Sequence, residues 1–565
     1  MGRGAKLAKV ESRGFRHPRQ SPSASPPPIH RNSNRPFDIG SHSNRLMTYL
    51  SLLLCLSLIS AAVAASKPHY PAAQSNTIIS TTNAPPGPYG AQQAILDERG
   101  SLTTSVQYGI LPTTNKLIST SVKEQMTQAM TNMAAVFTAA GLNFRTDATS
   151  CWLYGAAEIN AKDFGVISTV YNTFFPNQQH HPARNPTSAH LLCTTEKTSY
   201  GKKCNGNPLI GVMCHGFPNG GVRVVPPSPF FDTDFNAQGL LVDQGSRLYT
   251  SAQVGIDPTA GANGLQAPPL VNGGAVNETR QAMSNIAKVF ATAFPKEGKQ
   301  ALVKHASECQ LIVVNTTGKI KDELWQQVKN EYESFFSGRP QGDLPPVAIS
   351  SFPVGTLPIP ANVAVSCNGM DKSIKKNSST LPWYTTVGQT TYLQTAGHVG
   401  SNVQTIYNLV ASDFATTFPK NQWNTSGWRW PSVPAKQQTS SHPIHGTVTE
   451  CQLWIANIAA PREIYIENVL DTLSDLFHGQ LPPLTVTKDG TLRDCTMDPV
   501  HGLAHGDCYT LQCLGSITAP PKPVCIPPNG KCNYVDPEQG LPCCFGGRGG
   551  CTNVHAPNPG ICDWV

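Results

Sequence analysis

Glu124-Gln-Met-Thr-Gln-Ala-Met-Thr-Asn-Met-Ala-Ala-Val-Phe137 lines up without a gap on Asn277-Glu-Thr-Arg-Gln-Ala-Met-Ser-Asn-Ile-Ala-Lys-Val-Phe290. A third, weaker copy runs Gln404-Thr-Ile-Tyr-Asn-Leu409 and then Asp413-Phe-Ala-Thr-Thr-Phe-Pro419, which mirrors Val289-Phe-Ala-Thr-Ala-Phe-Pro295. Self-similarity of this kind is the signature of a chain built from one repeated unit. Met126, Met130, Met133 and Phe137 recur at helical spacing, so the unit opens with a helix whose apolar stripe packs on a sheet. Each helix is followed by a strand-like run with one cysteine: Cys151-Trp-Leu-Tyr154, Cys309-Gln-Leu-Ile-Val-Val314 and Cys451-Gln-Leu-Trp-Ile455. A second helix closes on an aromatic or leucine pair, Tyr171–Phe175, Tyr332–Phe336 and Leu473–Phe477, and the last strands bring Cys214, Cys367 and Cys513. The order strand, strand, helix, strand, helix, strand, strand, three times over, predicts an α/β fold of the two-layer α+β type, with helices on one face of each sheet.

A chain of 565 residues exceeds one ordinary core and divides into several domains. Residues 1–46 are rich in Ser, Pro and Arg without periodic apolar residues, and read as a disordered or misassigned leader, Met47 standing where a compact export signal would begin. Nine Lys or Arg against two acidic residues fall before residue 66, which leaves 33 of each sign in the remainder. The basic balance belongs to the leader, so the body lacks the charge expected of a nucleic-acid binder, and no nucleic-acid partner is expected.

Leu46–Ala65 reads LMTYLSLLLCLSLISAAVAA behind Arg45, a leucine-rich run ending in small residues suited to cleavage near Ala64–Ser66. About 20 apolar residues can also span a bilayer, but the Ala-rich end fits a signal peptide, residues 47–65, better than an anchor. The expectation is a secreted, extracellular protein with no stable membrane anchor after cleavage. Seventeen Cys less Cys55 in the signal leave sixteen, an even number that points to disulfides in an oxidising compartment. Asn277, Asn315, Asn377 and Asn424 begin sequons permissive for glycosylation.

Ala84-Pro-Pro-Gly-Pro-Tyr89, Leu102-Thr-Thr-Ser-Val-Gln107, the first helix, Lys162-Asp-Phe164, Tyr171–Phe175 and Pro182-Ala-Arg184 occur in the order and spacing of the YjgF/RidA family. The resemblance covers residues 77–215; residues 226–370 and 379–516 resemble the family mainly through the first repeat. It implies a chorismate-mutase-like fold. Family members are homotrimers with small-molecule sites between subunits, and active ones hydrolyse reactive imines and enamines. For this chain the resemblance implies three repeats packed into an intramolecular pseudo-trimer, a monomer with internal pseudo-three-fold symmetry.

An imino acid presents a carboxylate, best held by an Arg fork, and an electrophilic carbon that needs an oriented, deprotonated water. By resemblance Arg184 is the carboxylate clamp, with Tyr89 and Ser105 at two further pocket positions. The Glu thought to activate water is replaced, Gly211 standing in its place. In the second repeat the Arg and Glu positions read Val347 and Ala364; in the third they read Leu484 and approximately Thr510. Ser251 survives in the second, while Ala396-Gly397 replaces Ser-Gly in the third. Loss of a general base costs about 10²–10⁴-fold, so efficient deamination is not expected. His180-His181 and the pair His501 and His505 have ligand-like spacing without a further set, so no metal and no cofactor are expected.

Past a Pro-rich linker at 517–524, residues 525–565 carry six Cys spaced C-x6-C-x10-CC-x6-C-x10-C. So short a segment needs covalent staples, and six Cys allow fifteen connectivities. The spacing resembles inhibitor cystine knots, which implies Cys525–Cys544, Cys532–Cys551 and Cys543–Cys562. In the family's sheet the strands bearing the repeated cysteines can run side by side, which implies Cys151–Cys214, Cys309–Cys367 and Cys451–Cys513 at a Cα separation of roughly 5.5–6 Å. Cys193–Cys204 and Cys495–Cys508 are then the remaining pairs, since the second repeat lacks both members.

Two functions compete. The first is a non-catalytic extracellular protein that binds a protein partner or a small carboxylate ligand. The second is a weak imine or enamine deaminase, or a 2-oxo-acid binder, using the first repeat's cleft. Decay of the catalytic positions beside retention of the repeated cysteines favours the first.

Overall fold

The computed structural model describes residues 76–156, 159–188, 191, 208–227, 237–257, 269–314, 322–337, 347–352, 357, 361–371, 375–376, 383–387, 390–395, 398–400, 402–417, 447–456, 463–477, 481–489 and 508–518. All lie in one compact unit, Ala72–Val565. The leader, the signal segment, the cystine-knot-like tail, Cys193, Cys204, Cys495, Asn315, Asn377, Asn424, His501 and His505 lie outside the described residues.

The first stretch supplies β1 (Thr77–Ile79), β2 (Ala94–Leu96), β3 (Leu102–Thr104), β4 (Gln107–Tyr108) and a small hairpin, β5 (Ile110–Leu111) and β6 (Lys116–Leu117). It continues with helix α1 (Val122–Ala139), the short α2 (Phe144–Asp147), β7 (Ala148–Gly155), α3 (Ala161–Phe174), β8 (Ala183–Ser188) and β9 (Ile210–Gly216). The second runs β10 (Val222–Val224), β11 (Gly239–Val242), β12 (Arg247–Thr250), β13 (Gln253–Val254), α4 (Gly274–Ala293), α5 (Ala301–His305), β14 (Ala306–Val314), α6 (Asp322–Ser334), β15 (Val347–Phe352) and β16 (Val363–Met370). The third runs β17 (Lys375–Lys376), β18 (Trp383–Val387), β19 (Thr390–Gln394), β20 (His398–Gly400), α7 (Val403–Thr417), β21 (Val448–Ala456), α8 (Glu463–Leu476), β22 (Leu484–Asp489) and β23 (Cys508–Thr518).

The strand orders are β1-β2-β3-β9-β7-β8, β10-β11-β12-β16-β14-β15 and β17-β18-β19-β23-β21-β22, with β4, β13 and β20 each pairing the last strand of its sheet. These are three sheets of one topology, mixed because β7–β8, β14–β15 and β21–β22 are parallel pairs. Parallel neighbours need a crossover, and α3, α6 and α8 supply it. Each sheet has more strands than the sequence pattern suggested: short β4, β13 and β20 are too brief to leave a periodic signal.

The helices form where the apolar stripe predicted them. On α1, Met126, Ala129, Met130, Met133, Val136 and Phe137 are buried, and the Ser121 hydroxyl caps the first turn by accepting from Glu124 N–H. A Cβ at Gly216 would lie 2.5 Å from the Phe137 ring; Gly369 and Gly515 stand likewise 2.6 and 2.3 Å from Phe290 and Phe414. Each last strand thus keeps a glycine because the helix drives a phenylalanine onto the backbone there. The helix-side cores of the first and second sheets are separate clusters, each containing its own strand cysteines.

Disulfides join Cys151–Cys214, Cys309–Cys367 and Cys451–Cys513 with Cα separations of 4.2, 4.1 and 4.2 Å. The separation is shorter than the expected 5.5–6 Å for a geometric reason. The partners stand directly opposite in antiparallel pairs, while Cys214 N–H donates to Thr104 Oγ1 and Cys451 N–H to the Pro483 carbonyl instead of to the facing cysteine. Such non-hydrogen-bonded pairs bring Cα atoms to about 4.5 Å.

Candidate functional site between the sheets

Each outer parallel strand places one residue opposite the strand cysteine: Arg184 opposite Cys151, Val347 opposite Cys309 and Leu484 opposite Cys451. The last strands place Gly211, Ala364 and Thr510 opposite Tyr154, Ile312 and Trp454. The register therefore aligns the three Arg positions with one another, and the three Glu positions likewise.

Arg184 meets a different neighbour from Tyr89 and Ser105, the other two expected pocket residues. Arg184 N–H donates to Ser251 Oγ at 2.8 Å, and Ala252 N–H donates to the Arg184 carbonyl at 3.2 Å. Ala183 bridges Ala237 in the same cleft. Ser105 instead accepts from Leu484 N–H at 3.0 Å and donates to the Gln92 carbonyl at 2.6 Å. Tyr89 and Ala91 are buried in the third sheet's core with Leu473, Phe477, Leu481 and Leu484. β8 docks on the turn after β12 and β22 on the turn after β3, so the Arg-bearing strand and the Ser-bearing turn of the first repeat meet different neighbours. One cleft holds Arg184 with Ser251; another holds Tyr89 and Ser105 with Leu484.

In the Arg184 cleft the guanidinium carbon lies 5.6 Å from the Tyr171 ring centroid, and Nη1 donates to Ser168 Oγ at 3.2 Å. Both partners come from α3, one helical turn apart. Burial lowers the Arg184 pKa and the Tyr171 ring partly offsets that. Burial pushes the Tyr171 hydroxyl well up, and that hydroxyl has no hydrogen-bond partner among the described residues. Among those residues no carboxylate pairs with Arg184. A guanidinium fork with spare donors and an aromatic face is a carboxylate-binding arrangement. At the Glu position belonging to this cleft, Ala364 pairs with Val254 and packs in a cluster with Trp152 and Tyr154.

The second cleft has an apolar floor where the first has a cation. Gly211 pairs with Tyr108, and a Cβ at 211 would lie 3.1 Å from the Tyr108 ring. Burial, reinforced by nearby Tyr89, pushes the Tyr108 hydroxyl well above its ordinary range, and it has no hydrogen-bond partner among the described residues. Tyr108 fills the space a carboxylate at 211 would need. Sequence reasoning missed this residue, although an unadorned glycine inside a buried strand marks a close approach.

Other sequence candidates stand apart. His181 is buried, its Nε2 against the Phe175 carbonyl, and no group of three metal-ligating side chains occurs among the described residues. Asn277 lies in the first turn of α4, its amide donating to the Asn272 carbonyl at 2.9 Å, while sequon residue Thr279 is fully buried and bonded to the Ala275 carbonyl.

Part of the chain is similar to known proteins. Residues 81–195 fit the family described as Endoribonuclease L-PSP. The chain is 35% identical over 107 residues to 2-iminobutanoate/2-iminopropanoate deaminase of Rattus norvegicus, and 36% identical over 109 residues to that of Homo sapiens, covering 19% of this chain and 73% of each relative. Among solved structures, Escherichia coli TdcF with bound serine is 22% identical (25% of this chain, 98% of that chain, TM-score 0.21), and the E. coli YjgF gene product is 25% identical (25% and 98%, TM-score 0.20). Through residues 81–195 the chain belongs to the RidA/YjgF family, described as Endoribonuclease L-PSP.

Proposed function

We propose that this chain is a secreted, non-catalytic protein that binds a small carboxylate, such as a 2-oxo acid, in the Arg184 cleft of a scaffold of three RidA-like repeats packed as an intramolecular trimer. The observation that carries this reading is the separation of Arg184 from Tyr89 and Ser105. One cleft keeps a clamp without a base, and the other keeps the tyrosine and serine without a clamp. Three sheets of one strand order support the trimeric packing, as do the matching cross-sheet bonds to Ser251 and Ser105. Three disulfides are compatible with an oxidising compartment, and the sequence of residues 46–65 supports export. The relatives' deaminase activity requires water to be activated, and positions 211, 364 and 510 carry no carboxylate.

Isothermal titration with pyruvate tests the clamp. Saturable binding weakened at least tenfold by Arg184→Ala is expected. Hydrolysis of 2-iminopropanoate, assayed beside the rat relative, is expected to be lower by at least about 10²-fold. Pyruvate binding unchanged by Arg184→Ala, or turnover equal to the relative's, overturns the reading.

A further inference from the structure

A second polar site lies where all three sheets meet. A cavity of ≈ 50 Å³ is lined by side chains from each of them, among them Asp97, His215, Arg247, Glu308 and Tyr392. At about 10–15 Å³ per water, it has room for roughly three to five waters or one small molecule of that bulk.

Charges in and around the lining are already arranged in opposition. Arg99 pairs with Asp243, and His215 Nε2 lies 3.0 Å from Glu450 Oε2. Arg247 lies between two aromatic rings, 5.4 Å from the Tyr249 centroid and 4.6 Å from the Tyr392 centroid. Asp97 is its electrostatic neighbour, but the hydrogen-bond acceptor the described residues give Arg247 is Ser101 Oγ, at 3.0 Å from Nη1. A guanidinium has five donors, so Arg247 is a cation with donors to spare. Glu308 is its counterpart of opposite sign: it is buried, accepts from Asn368 Nδ2 at 2.9 Å and from Gln394, and has no cation in hydrogen-bond contact among the described residues.

The lining sets one arginine, Arg247, against two buried carboxylates, Asp97 and Glu308, so a lone anion would deepen the excess of buried negative charge, which costs free energy, and a lone cation would leave the spare Arg247 donors unmet. A zwitterion adds no net charge. We infer that this cavity binds a small α-amino acid of glycine or alanine size, its carboxylate on Arg247 and its ammonium on Glu308, at a site distinct from the Arg184 cleft. The cavity's size excludes larger side chains, and the Tyr249 and Tyr392 rings fix the guanidinium plane that would take the carboxylate.

The test is isothermal titration of the full chain with glycine and with L-alanine. Saturable binding is expected, with acetate, methylammonium and L-phenylalanine each at least tenfold weaker. Arg247→Met and Glu308→Gln should each weaken glycine and alanine binding at least tenfold, while Arg184→Ala leaves it unchanged. Glu308→Gln removes a buried charge and keeps an acceptor for Asn368, so it reports on binding in a folded chain even where Arg247→Met fails to fold. Absence of saturable binding to the wild-type chain, acetate binding as tightly as glycine, or affinity unchanged in Glu308→Gln overturns the inference. Pyruvate binding at Arg184 is measured independently, so either reading can fail without the other.

Discussion

The Leu484 backbone N–H donates to the Ser105 hydroxyl at 3.0 Å, repeating between the third and first sheets the bond that Arg184 makes to Ser251 at 2.8 Å between the first and second. The backbone interlock forms whether the strand presents an arginine or a leucine. Around Arg184 the second helix offers Ser168 and Tyr171; around Leu484 the corresponding helix offers buried Leu470 and Leu473.

Leu484→Arg therefore does not rebuild a clamp. It places a guanidinium beside Leu470 and Leu473 without the Ser168 and Tyr171 partners that Arg184 has, and an unpaired buried charge costs about 3–5 kcal/mol. Urea unfolding is expected to show that loss, and pyruvate titration no additional site; a stable variant with a second pyruvate site would show that the cleft tolerates the cation.

Gly211→Glu is expected to destabilise the chain by about 1–3 kcal/mol through overpacking, because the new Cβ meets the Tyr108 ring at 3.1 Å. Adding Tyr108→Val, the residue type that pairs with Ala364 at the matching position, should recover most of the loss. Urea unfolding of the single and double variants checks the coupling: additive losses would show that Tyr108 is not what occupies the carboxylate's place.

Replacing Cys151 and Cys214 together by Ala opens a loop with a sequence separation of 63 residues. In the chain-entropy account this costs about 4 kcal/mol. Thermal unfolding of the double variant should show a lowered Tm, and peptide mapping of the wild-type chain without reduction should recover the Cys151–Cys214 link. A Tm unchanged by the double replacement would show that the bond adds little to this sheet.

Glu308 gives a pH-dependent prediction. Burial raises its pKa, offset in part by the Gln394 hydrogen bond, while Glu450 adds to the rise and Asn368 and His215 oppose it. The folded chain thus holds this proton more tightly than the unfolded chain. Its contribution is fully present below the unfolded value of about 4.3 and is lost as pH rises through the folded pKa. Glu308→Gln removes that loss, so at pH 7 the variant should melt above wild type, with the difference shrinking toward pH 4. A variant melting lower than wild type at pH 7 would mean that the ionised carboxylate stabilises the junction.

Much of this protein is legible in its sequence, because periodicity and composition are local properties. The methionine stripe of α1 and its copy on α4 specify helices with one buried face, and the recurring cysteines mark equivalent strands. Val347 and Leu484 could be read as replacements for Arg184, and Gly211 as a replacement for a carboxylate, because these are questions of residue identity at an aligned position. Which residues share a cleft was decided by the tertiary structure alone. Arg184 and Ser105 belong to one repeat and look like one site on paper, yet the outer strands of the first and third sheets bond to a neighbouring sheet, and that docking parts them. The same docking brings Arg247, Glu308 and Tyr392 around one cavity, although no spacing in the chain relates them, because a junction of three sheets is made from contacts between residues far apart in sequence.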